Sequence, residues 1–354
     1  MFPEDFVAKQ VLAYTERGEW VFDPFSGRGT TVFESLLNGR PAAGTDINPV
    51  AACVGGAKAD TPTLSSVLAR LDALESALKV MPAPAESISN SEFFKWCFHA
   101  NTLSEVLFLR ANLDWRGSKT DRFIAAVALG CLHGESHKTP NCLSNRMPRT
   151  ISTKPDYSVR WWSERGLCPP ERKTFDVLRT MVKFRLRDTR PTLAGEVKLG
   201  DARLSGKAFP SLWERVSLIV TSPPYLDTTD YNEDQWLRLW FLGGADEPHG
   251  GLNRDDRYTR LDAYWKFLCE NWAGVQPLVK RGTHVVVRIG GTRVPKQDLL
   301  DGVLVSLKSG FTGYRVKPLH GGATTEIRNR QTNVFRPGTS AKRFEHDFTF
   351  KVTD

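Results

Sequence analysis

The chain has 354 residues, 40% of them hydrophobic and 25% charged, which is typical of a globular protein of one large domain or two. No apolar run approaches the roughly 18 residues of a membrane span, and the amino terminus lacks the basic-then-apolar pattern of a signal peptide. The six cysteines do not have the spacing of a disulfide framework. We therefore expect a protein of the reducing cytoplasm of a bacterium or archaeon.

The first strongly patterned stretch is a predicted strand, turn and helix near the amino terminus. Residues 20–22 predict the strand, and residues 30–37 predict the helix after it. Between them, Gly27 and Gly29 permit a tight turn and a close approach of the backbone to a ligand. The helix that follows presents free N–H groups at its start. The G-x-G-x-x-G spacing of dinucleotide enzymes is absent, which disfavours a dehydrogenase.

This turn carries the nine-residue sequence Asp23-Pro-Phe-Ser-Gly-Arg-Gly-Thr-Thr31. It closely resembles motif I of the S-adenosylmethionine-dependent amino-methyltransferases of DNA. The resemblance implies that the loop cradles the amino-acid part of S-adenosylmethionine. The loop residues that it assigns to the cofactor are Asp23, Pro24, Phe25, Ser26, Gly27, Gly29, Thr30 and Thr31.

Residues 2–12 have the pattern of an opening turn and a short amphipathic helix. They are similar to motif X of the same family, which packs over the methionine end of the cofactor. The resemblance therefore places Phe2 and Pro3 beside the cofactor. Plain packing of an amino-terminal helix is an equal alternative.

A second predicted strand, residues 42–45, ends in Asp46, and Ile47 follows it. An acid at the tip of the second strand can accept hydrogen bonds from both ribose hydroxyls, as it does in dinucleotide folds. We therefore expect Asp46 and Ile47 to contact the cofactor. Capping of the helix that begins near Pro49 is the alternative role for Asp46. A further helix is predicted over residues 63–79.

The middle third of the chain is basic, since residues 91–190 hold 18 Lys and Arg against 10 Asp and Glu. A basic segment favours a polyanionic partner such as nucleic acid. Residues 133–170 are irregular and polar, and a long loop in a compact enzyme is usually functional. The helices predicted on either side of it span residues 92–98, 103–112, 122–132 and 172–186.

Guanidinium groups alternate with aromatic rings inside residues 133–170, an arrangement suited to phosphate contacts and base readout. The predicted DNA contacts are Arg146, Arg149, Lys154, Arg160, Trp161 and Arg165. At least one of Trp161 and Trp162 is expected to anchor a hydrophobic core instead. Cysteines and histidines also occur here, but no C-x-x-C pair is present, so we predict no metal site.

The predicted sheet resumes at residues 197–199, which Asp201 and Ala202 follow. By resemblance to the family, an acid at this position takes a hydrogen bond from the 6-amino group of the cofactor's adenine. Residues 218–220 then predict a buried strand that two prolines must end. The residues after that strand stand at its carboxyl end, where ligands bind in open α/β sheets.

This strand is followed by Thr221-Ser222-Pro223-Pro224-Tyr225. The sequence resembles motif IV of the amino-methyltransferases, particularly the cytosine-N4 branch, which implies a catalytic role for its last four residues and a cofactor contact for Thr221. An exocyclic amine is a poor nucleophile because its lone pair is delocalised into the ring. The Ser222 hydroxyl and the carbonyl beside Pro223 would accept the two amine hydrogens. Tyr225 would stack on a base flipped out of the duplex.

The remaining sequence predicts the elements that complete a sheet. Predicted helices and strands alternate over residues 261–279, 283–290, 296–307 and 311–317. Residues 331–335 and 347–352 are predicted to form a closing antiparallel hairpin. Arginines near residues 328–343 are more often solvated than bound to phosphate.

These elements predict an α/β fold with a Rossmann-like class I methyltransferase sheet and a mainly helical inserted target-recognition region. The predicted limits are residues 1–80 for the first half of the methyltransferase domain, 90–190 for the insertion and 195–354 for the second half. The cofactor loop precedes the catalytic strand, whereas the usual cytosine-N4 branch has the reverse order.

The resemblance implies a site-specific DNA methyltransferase that acts on the N4 amine of cytosine in double-stranded DNA. Serine at position 222, rather than Asp or Asn, favours cytosine, and the absence of a Pro-Cys pair disfavours C5 chemistry. The alternatives are an adenine-N6 DNA methyltransferase, an RNA base amino-methyltransferase and an inactive DNA-binding protein, although intact motifs disfavour the last. A cognate restriction endonuclease and the oligomeric state stay open.

Overall fold

The chain divides into two units in the computed structural model, which describes residues 3–81, 91–147, 155–188, 190–225, 235–248, 260–291, 294–326 and 344–354. The sheet unit comprises Met1–Asp60, Pro191–Thr229 and Leu252–Asp354. The helical unit comprises Thr61–Arg190 and Asp230–Gly251. The helix after residue 63 therefore lies in the helical unit, whereas the sequence grouped it with the amino-terminal segment.

The sheet unit contains an eight-stranded sheet in the order β3-β2-β1-β4-β5-β8-β6, with β7 paired to β8. Its strands are β1 Trp20–Asp23, β2 Ala42–Asp46, β3 Glu196–Leu199, β4 Val216–Thr221, β5 Val279–Gly291, β6 Arg315–Pro318, β7 Ala323–Glu326 and β8 Phe344–Thr353. Strands β1 to β5 run parallel, and β8 is antiparallel to its three neighbours. The predicted α/β, Rossmann-like sheet is confirmed. Its strand order reverses between β1 and β4, and such a switch point is where open sheets bind ligands.

The helices of the sheet unit flank the sheet and connect its parallel strands. They are α1 Glu4–Tyr14, α2 Thr30–Leu37, α3 Pro49–Ala59, α10 Ser205–Ala208, α12 Leu261–Val275 and α13 Lys296–Gly310. The helical unit contains α4 Leu64–Val80, α5 Glu92–Cys97, α6 Ala100–Asn112, α7 Lys119–Cys131, α8 Pro155–Ser163, α9 Thr174–Arg185 and α11 Trp236–Phe241.

Strand β4 is buried along its whole length because helices cover both faces of a central parallel strand. Its side chains alternate between two hydrophobic clusters, as the twofold period of a strand requires. Leu218 and Val220 pack in the cluster that contains Val7 and Val11 of α1. Ile219 packs in the other cluster, which contains residues of α12 and α13. The apolar run therefore fixes the position at which the polar residues after it emerge.

Two sequence-based expectations about helices differ from the structure. Helix α8 forms inside the segment predicted to be irregular, because Ser158 and Trp162 lie four residues apart on one buried face. The helix predicted over residues 261–279 ends at Val275, just before Pro277, which cannot continue a regular helix. The predicted strand 331–335 lies outside the described residues. Within the described part of the chain, no helix is both long and apolar enough to span a bilayer.

Candidate active site

The loop between β1 and α2 approaches a neighbouring helix so closely that it requires glycine. Gly29 has φ 73°, and a Cβ there would lie 2.7 Å from the Cα of Gly55 in α3. Gly27 also has a positive φ, of 51°. Side chains are rarely tolerated in this left-handed region. The two glycines predicted from the sequence are therefore required by the path of the loop.

Asp23, at the end of β1, is buried and joins the loop to β4. Its Oδ1 atom accepts a hydrogen bond of 2.6 Å from Thr221 Oγ1 and another of 3.1 Å from the Phe25 N–H. Burial raises the pKa of Asp23 to about 6, and the hydrogen bonds from Thr221 and Thr31 partly oppose that rise. Thr31 also donates to the carbonyl of Val220 at 3.1 Å. The loop and β4 thus share one hydrogen-bond network.

Asp46 performs the same joining role at the ends of β2 and β3. Its carboxylate accepts hydrogen bonds from the Gly27 N–H at 2.7 Å and the Asn48 N–H at 2.8 Å. Its backbone carbonyl accepts from the Gly200 N–H at 2.9 Å. Burial raises the pKa of Asp46, although both N–H donors act in the opposite direction. Ile47 beside it is 69% exposed, which leaves its side chain available to a ligand.

Asp201, the predicted adenine contact, is held by an arginine that the sequence analysis did not identify. The Arg203 guanidinium contacts both carboxylate oxygens, with Nη2 at 2.6 Å from Oδ2 and Nε at 3.0 Å from Oδ1. Arg203 Nη1 also lies 3.4 Å from Glu270 Oε2. Ala202, which follows Asp201, is buried. The Arg203 backbone N–H also donates to Asp201 Oδ1 at 2.9 Å, so both the backbone and the side chain of Arg203 hold this carboxylate.

The loop also contains an unsatisfied polar atom, which tests whether a cofactor fits. The Ser26 hydroxyl is buried and has no hydrogen-bond partner among the described residues. A buried hydroxyl without a partner costs free energy unless a ligand or water supplies one. The carboxylate of Asp46 lies across the same loop and can accept further hydrogen bonds. These groups fit a nucleoside cofactor that carries hydroxyl and amino donors.

The four residues after Thr221 stand at the carboxyl end of β4. Pro223 is buried, whereas Ser222, Pro224 and Tyr225 are partly exposed. The Pro224 carbonyl accepts a hydrogen bond of 2.9 Å from the Tyr264 hydroxyl. The Ser222 hydroxyl lies 3.2 Å from the Tyr225 hydroxyl. A rigid proline pair thus holds Ser222 at the switch-point edge of the sheet, as the sequence predicts.

The sequence analysis missed a buried charged cluster on β5 and β8. Arg288 pairs with Asp347 through contacts of 2.6 and 2.8 Å, and Glu345 lies beside them. All three side chains are almost fully buried. The guanidinium also lies 3.9 Å from the ring centroid of Phe6 in α1. Arg288 stands between apolar residues near the end of β5. This position was the signal available in the sequence, because a buried charge requires a partner.

The predicted DNA-binding residues that the structure describes lie in the helical unit. Trp161 is flanked by two guanidinium groups, Arg146 at 5.9 Å and Arg165 at 4.8 Å from its ring centroid. Arg160 and Arg165 are exposed, whereas Trp162 is 1% exposed and forms the core anchor that was expected of one of these tryptophans. The predicted contacts Arg149 and Lys154, and Phe2 of the cofactor set, lie outside the described residues. Pro3 precedes α1 and is exposed.

The cysteines and histidines of the helical unit do not converge in the described part of the chain. There, no three side chains of His, Cys, Asp or Glu are grouped so that they could hold a metal ion. Burial raises the pKa of the Cys131 thiol to about 11 and lowers the pKa of His133 to about 3. These groups are therefore neutral at physiological pH and pack as core residues.

Residues 1–53 match a family model described as DNA methylase. The chain is also 42% identical over 48 residues to the orphan methyltransferase M.BamHII of Bacillus amyloliquefaciens. That match covers 14% of this chain and 18% of the relative's length, so it spans a small part of both proteins. The amino-terminal segment of the chain is therefore similar to DNA methylases.

Solved structures of methyltransferases align along the chain at low similarity. The rRNA methyltransferase aviRa of Streptomyces viridochromogenes is 9% identical with a TM-score of 0.32, and the alignment covers 98% of this chain and 85% of that one. A 16S rRNA (adenine(1408)-N(1))-methyltransferase of Catenulisporales acidiphilia, solved with SAM as cosubstrate, is 11% identical with a TM-score of 0.31. That alignment covers 100% of this chain and 93% of the other. S-adenosylmethionine is the cofactor that the family match and the loop geometry support.

Proposed function

We propose that this protein is a DNA methyltransferase that transfers a methyl group to the exocyclic N4 amine of a flipped cytosine. The observation that carries the proposal is the 2.6 Å hydrogen bond between Thr221 and Asp23, because it joins the end of β4, just before Ser222, to the start of the loop that resembles a cofactor motif. A hydroxyl and a proline-flanked carbonyl at that edge match the two hydrogens of an exocyclic amine.

We assign the cofactor to the edge formed by the ends of β1, β2 and β3. Ser26 and the loop glycines would contact its amino-acid part, Asp46 its ribose and Asp201 its adenine amine. S-adenosylmethionine supplies an electrophilic methyl group on a sulfonium. No charged intermediate on the protein is required, because the residues of this edge only position two reactants. Such positioning supplies on the order of 7–11 kcal/mol of a barrier.

Ser222 and the carbonyl beside Pro223 would accept the two amine hydrogens, which turns the nitrogen lone pair away from the plane of the base. The Pro224 carbonyl already accepts a hydrogen bond of 2.9 Å from the Tyr264 hydroxyl. Tyr225, which is partly exposed, would contact the base. Arg146, Arg160, Trp161 and Arg165 would contact phosphates and bases of the double-stranded DNA substrate.

The decisive experiment is nucleoside mass spectrometry of DNA incubated with purified protein and labelled S-adenosylmethionine, in parallel with Ser222→Ala. The proposal requires labelled N4-methylcytosine with the wild type and a loss of roughly 10²–10³-fold in the variant. If labelled N6-methyladenine is found instead, the target base is adenine and not cytosine. Label in RNA alone would make the protein an RNA methyltransferase, and DNA binding without label in either polymer would indicate an inactive binding protein.

A further inference from the structure

A chain of three hydroxyl and carboxyl groups leads from the catalytic strand into the sheet. The Ser222 hydroxyl lies 3.2 Å from the Tyr225 hydroxyl, which lies 2.8 Å from Glu345 Oε1. Glu345 is on β8, opposite Gly290 of β5 in the strand register. It is only 8% exposed, so it is held inside the protein rather than in solvent.

The Tyr225 ring reaches Glu345 because Gly290 has no side chain. A Cβ at Gly290 would lie 2.8 Å from Tyr225 Cε2 and 3.0 Å from Cδ2. Any larger residue there would push the ring away from β8. The glycine therefore fixes the path of the tyrosine across the sheet edge.

The charge of Glu345 is balanced by Arg288, whose Nη1 atom lies 3.7 Å from Glu345 Oε2. Arg288 is shared with Asp347, which contacts its Nε and Nη2 atoms. Two carboxylates thus surround a single guanidinium, and Phe6 covers the face of that guanidinium. Buried carboxylates need all the donors that are within reach, and the Tyr225 hydroxyl is the donor that reaches Oε1.

This arrangement fixes the direction of each hydrogen bond. An ionised carboxylate only accepts hydrogen bonds, so the Tyr225 hydroxyl must donate its hydrogen to Glu345. The oxygen of Tyr225 then accepts the hydrogen of Ser222. Burial and the neighbouring Glu345 raise the pKa of Tyr225, so that the hydroxyl stays protonated and keeps this direction. Ser222 has no hydrogen left to donate, and only its lone pairs face a ligand.

We propose that Glu345 is a positioning residue that acts through Tyr225 and commits the Ser222 hydroxyl to accepting hydrogen bonds. This inference rests on the proposed function, because it assigns the relay to the recognition of an exocyclic amine. An amine donates hydrogens to such an acceptor, whereas the keto oxygen at the corresponding ring position of uracil or thymine directs lone pairs at the lone pairs of Ser222. The relay thus selects bases that carry an amine.

The first test compares methyl transfer by Glu345→Gln with the wild type at saturating S-adenosylmethionine. A glutamine amide can donate to the Tyr225 oxygen, which turns the tyrosine hydrogen toward Ser222 and blocks the acceptor. We expect kcat to fall at least about 10-fold while the Kd for the cofactor changes less than about 2-fold. Glu196→Gln, on the edge strand β3, is the matched control and should keep the wild-type kcat.

The second test combines the variant with Ser222→Ala. If Glu345 acts through Ser222, the double variant Ser222→Ala/Glu345→Gln is no slower than Ser222→Ala alone. A further fall in kcat in the double variant, or a parallel loss of cofactor affinity and melting temperature, would show a structural role for Glu345 and overturn the inference. Tyr225→Phe, which removes the central hydroxyl, should show the same dependence on Ser222.

A third measurement does not depend on methyl transfer, so it separates this inference from the proposed function. The ultraviolet tyrosinate signal of Tyr225 is obtained by subtracting a titration of Tyr225→Phe from that of the wild type. We expect no signal from Tyr225 up to about pH 11, and an earlier onset in Glu345→Gln. Ionisation of Tyr225 near its ordinary pKa of about 10 in the wild type would contradict the relay, even if the enzyme methylates DNA.

Discussion

Thr221 Oγ1 donates a hydrogen bond of 2.6 Å to Asp23 Oδ1 although 198 positions separate the two residues in the chain. The bond joins the carboxyl ends of β1 and β4, which are neighbours at the switch point of the sheet. The two sequence motifs therefore meet at one edge of the sheet. The contact is made by the first residue of each motif, Asp23 and Thr221.

The pKa of Asp23 predicts how stability depends on pH. Burial raises this pKa from its usual 3.8 to about 6, so the folded protein binds this proton more tightly than the unfolded chain does. The stability that the proton contributes is complete below about pH 4 and is lost as the pH rises through about 6. Relative to Asp23→Asn, the free energy of unfolding of the wild type should fall by about 2.5 kcal/mol from pH 4 to pH 7. Urea denaturation of both proteins at several pH values measures this difference. The prediction is contradicted if the free energies of unfolding of the two proteins change equally with pH.

The Thr221 hydroxyl lowers the pKa of Asp23, so its removal should raise that pKa further. Thr221→Val leaves the buried carboxylate without its shortest hydrogen bond. We expect the free energy of unfolding at pH 7 to fall by about 1–3 kcal/mol. Thr221→Ser retains the hydroxyl and is the matched control, with a loss below that of valine. Equal losses in the two variants would indicate that the methyl group, rather than the hydroxyl, stabilises this strand end.

Gly29 should be far less tolerant of alanine than Gly18 is. Both have a positive φ, of 73° and 86°, but a Cβ at Gly29 would collide with Gly55, whereas Gly18 has open space around it. Gly18→Ala should cost about 1 kcal/mol from the backbone alone. Gly29→Ala should cost clearly more and weaken binding of S-adenosylmethionine at least about 10-fold. Thermal denaturation and calorimetric titration of both variants measure these effects, and equal behaviour would exclude a special role for the loop.

Arg165 should contribute to DNA binding without reading sequence. It is exposed and stacks on Trp161, at 4.8 Å from the ring centroid. If it binds a phosphate, Arg165→Ala should lower affinity uniformly across DNA sequences and reduce the slope of log K against log salt by about 1. Arg187→Ala is the matched control, because Arg187 is an exposed arginine of the same unit at 4.5 Å from the centroid of Phe184. Equal changes in both variants would indicate a general charge effect.

Much of the sheet and of its carboxyl edge could be predicted from the sequence, because each polar residue there directly follows an apolar strand. Asp23, Asp46 and Ser222 were placed in this way, and the parallel order of the strands brings them to one edge. Glu345 could not be placed, because its role depends on the register of an antiparallel pair rather than on a local pattern. Helix α8 was missed because its polar sequence has only two buried positions, Ser158 and Trp162, to mark it.

The three-segment construction of the sheet unit has a consequence for synthesis of the protein. Strands β1 and β2 leave the ribosome long before β4, which must lie between β1 and β5. At about 5–20 residues per second, the 198 positions between Asp23 and Thr221 correspond to a delay of roughly 10–40 s. Pairings of such long sequence separation also form slowly. During that interval the edge of β1 that pairs with β4 in the folded sheet lacks its hydrogen-bond partner.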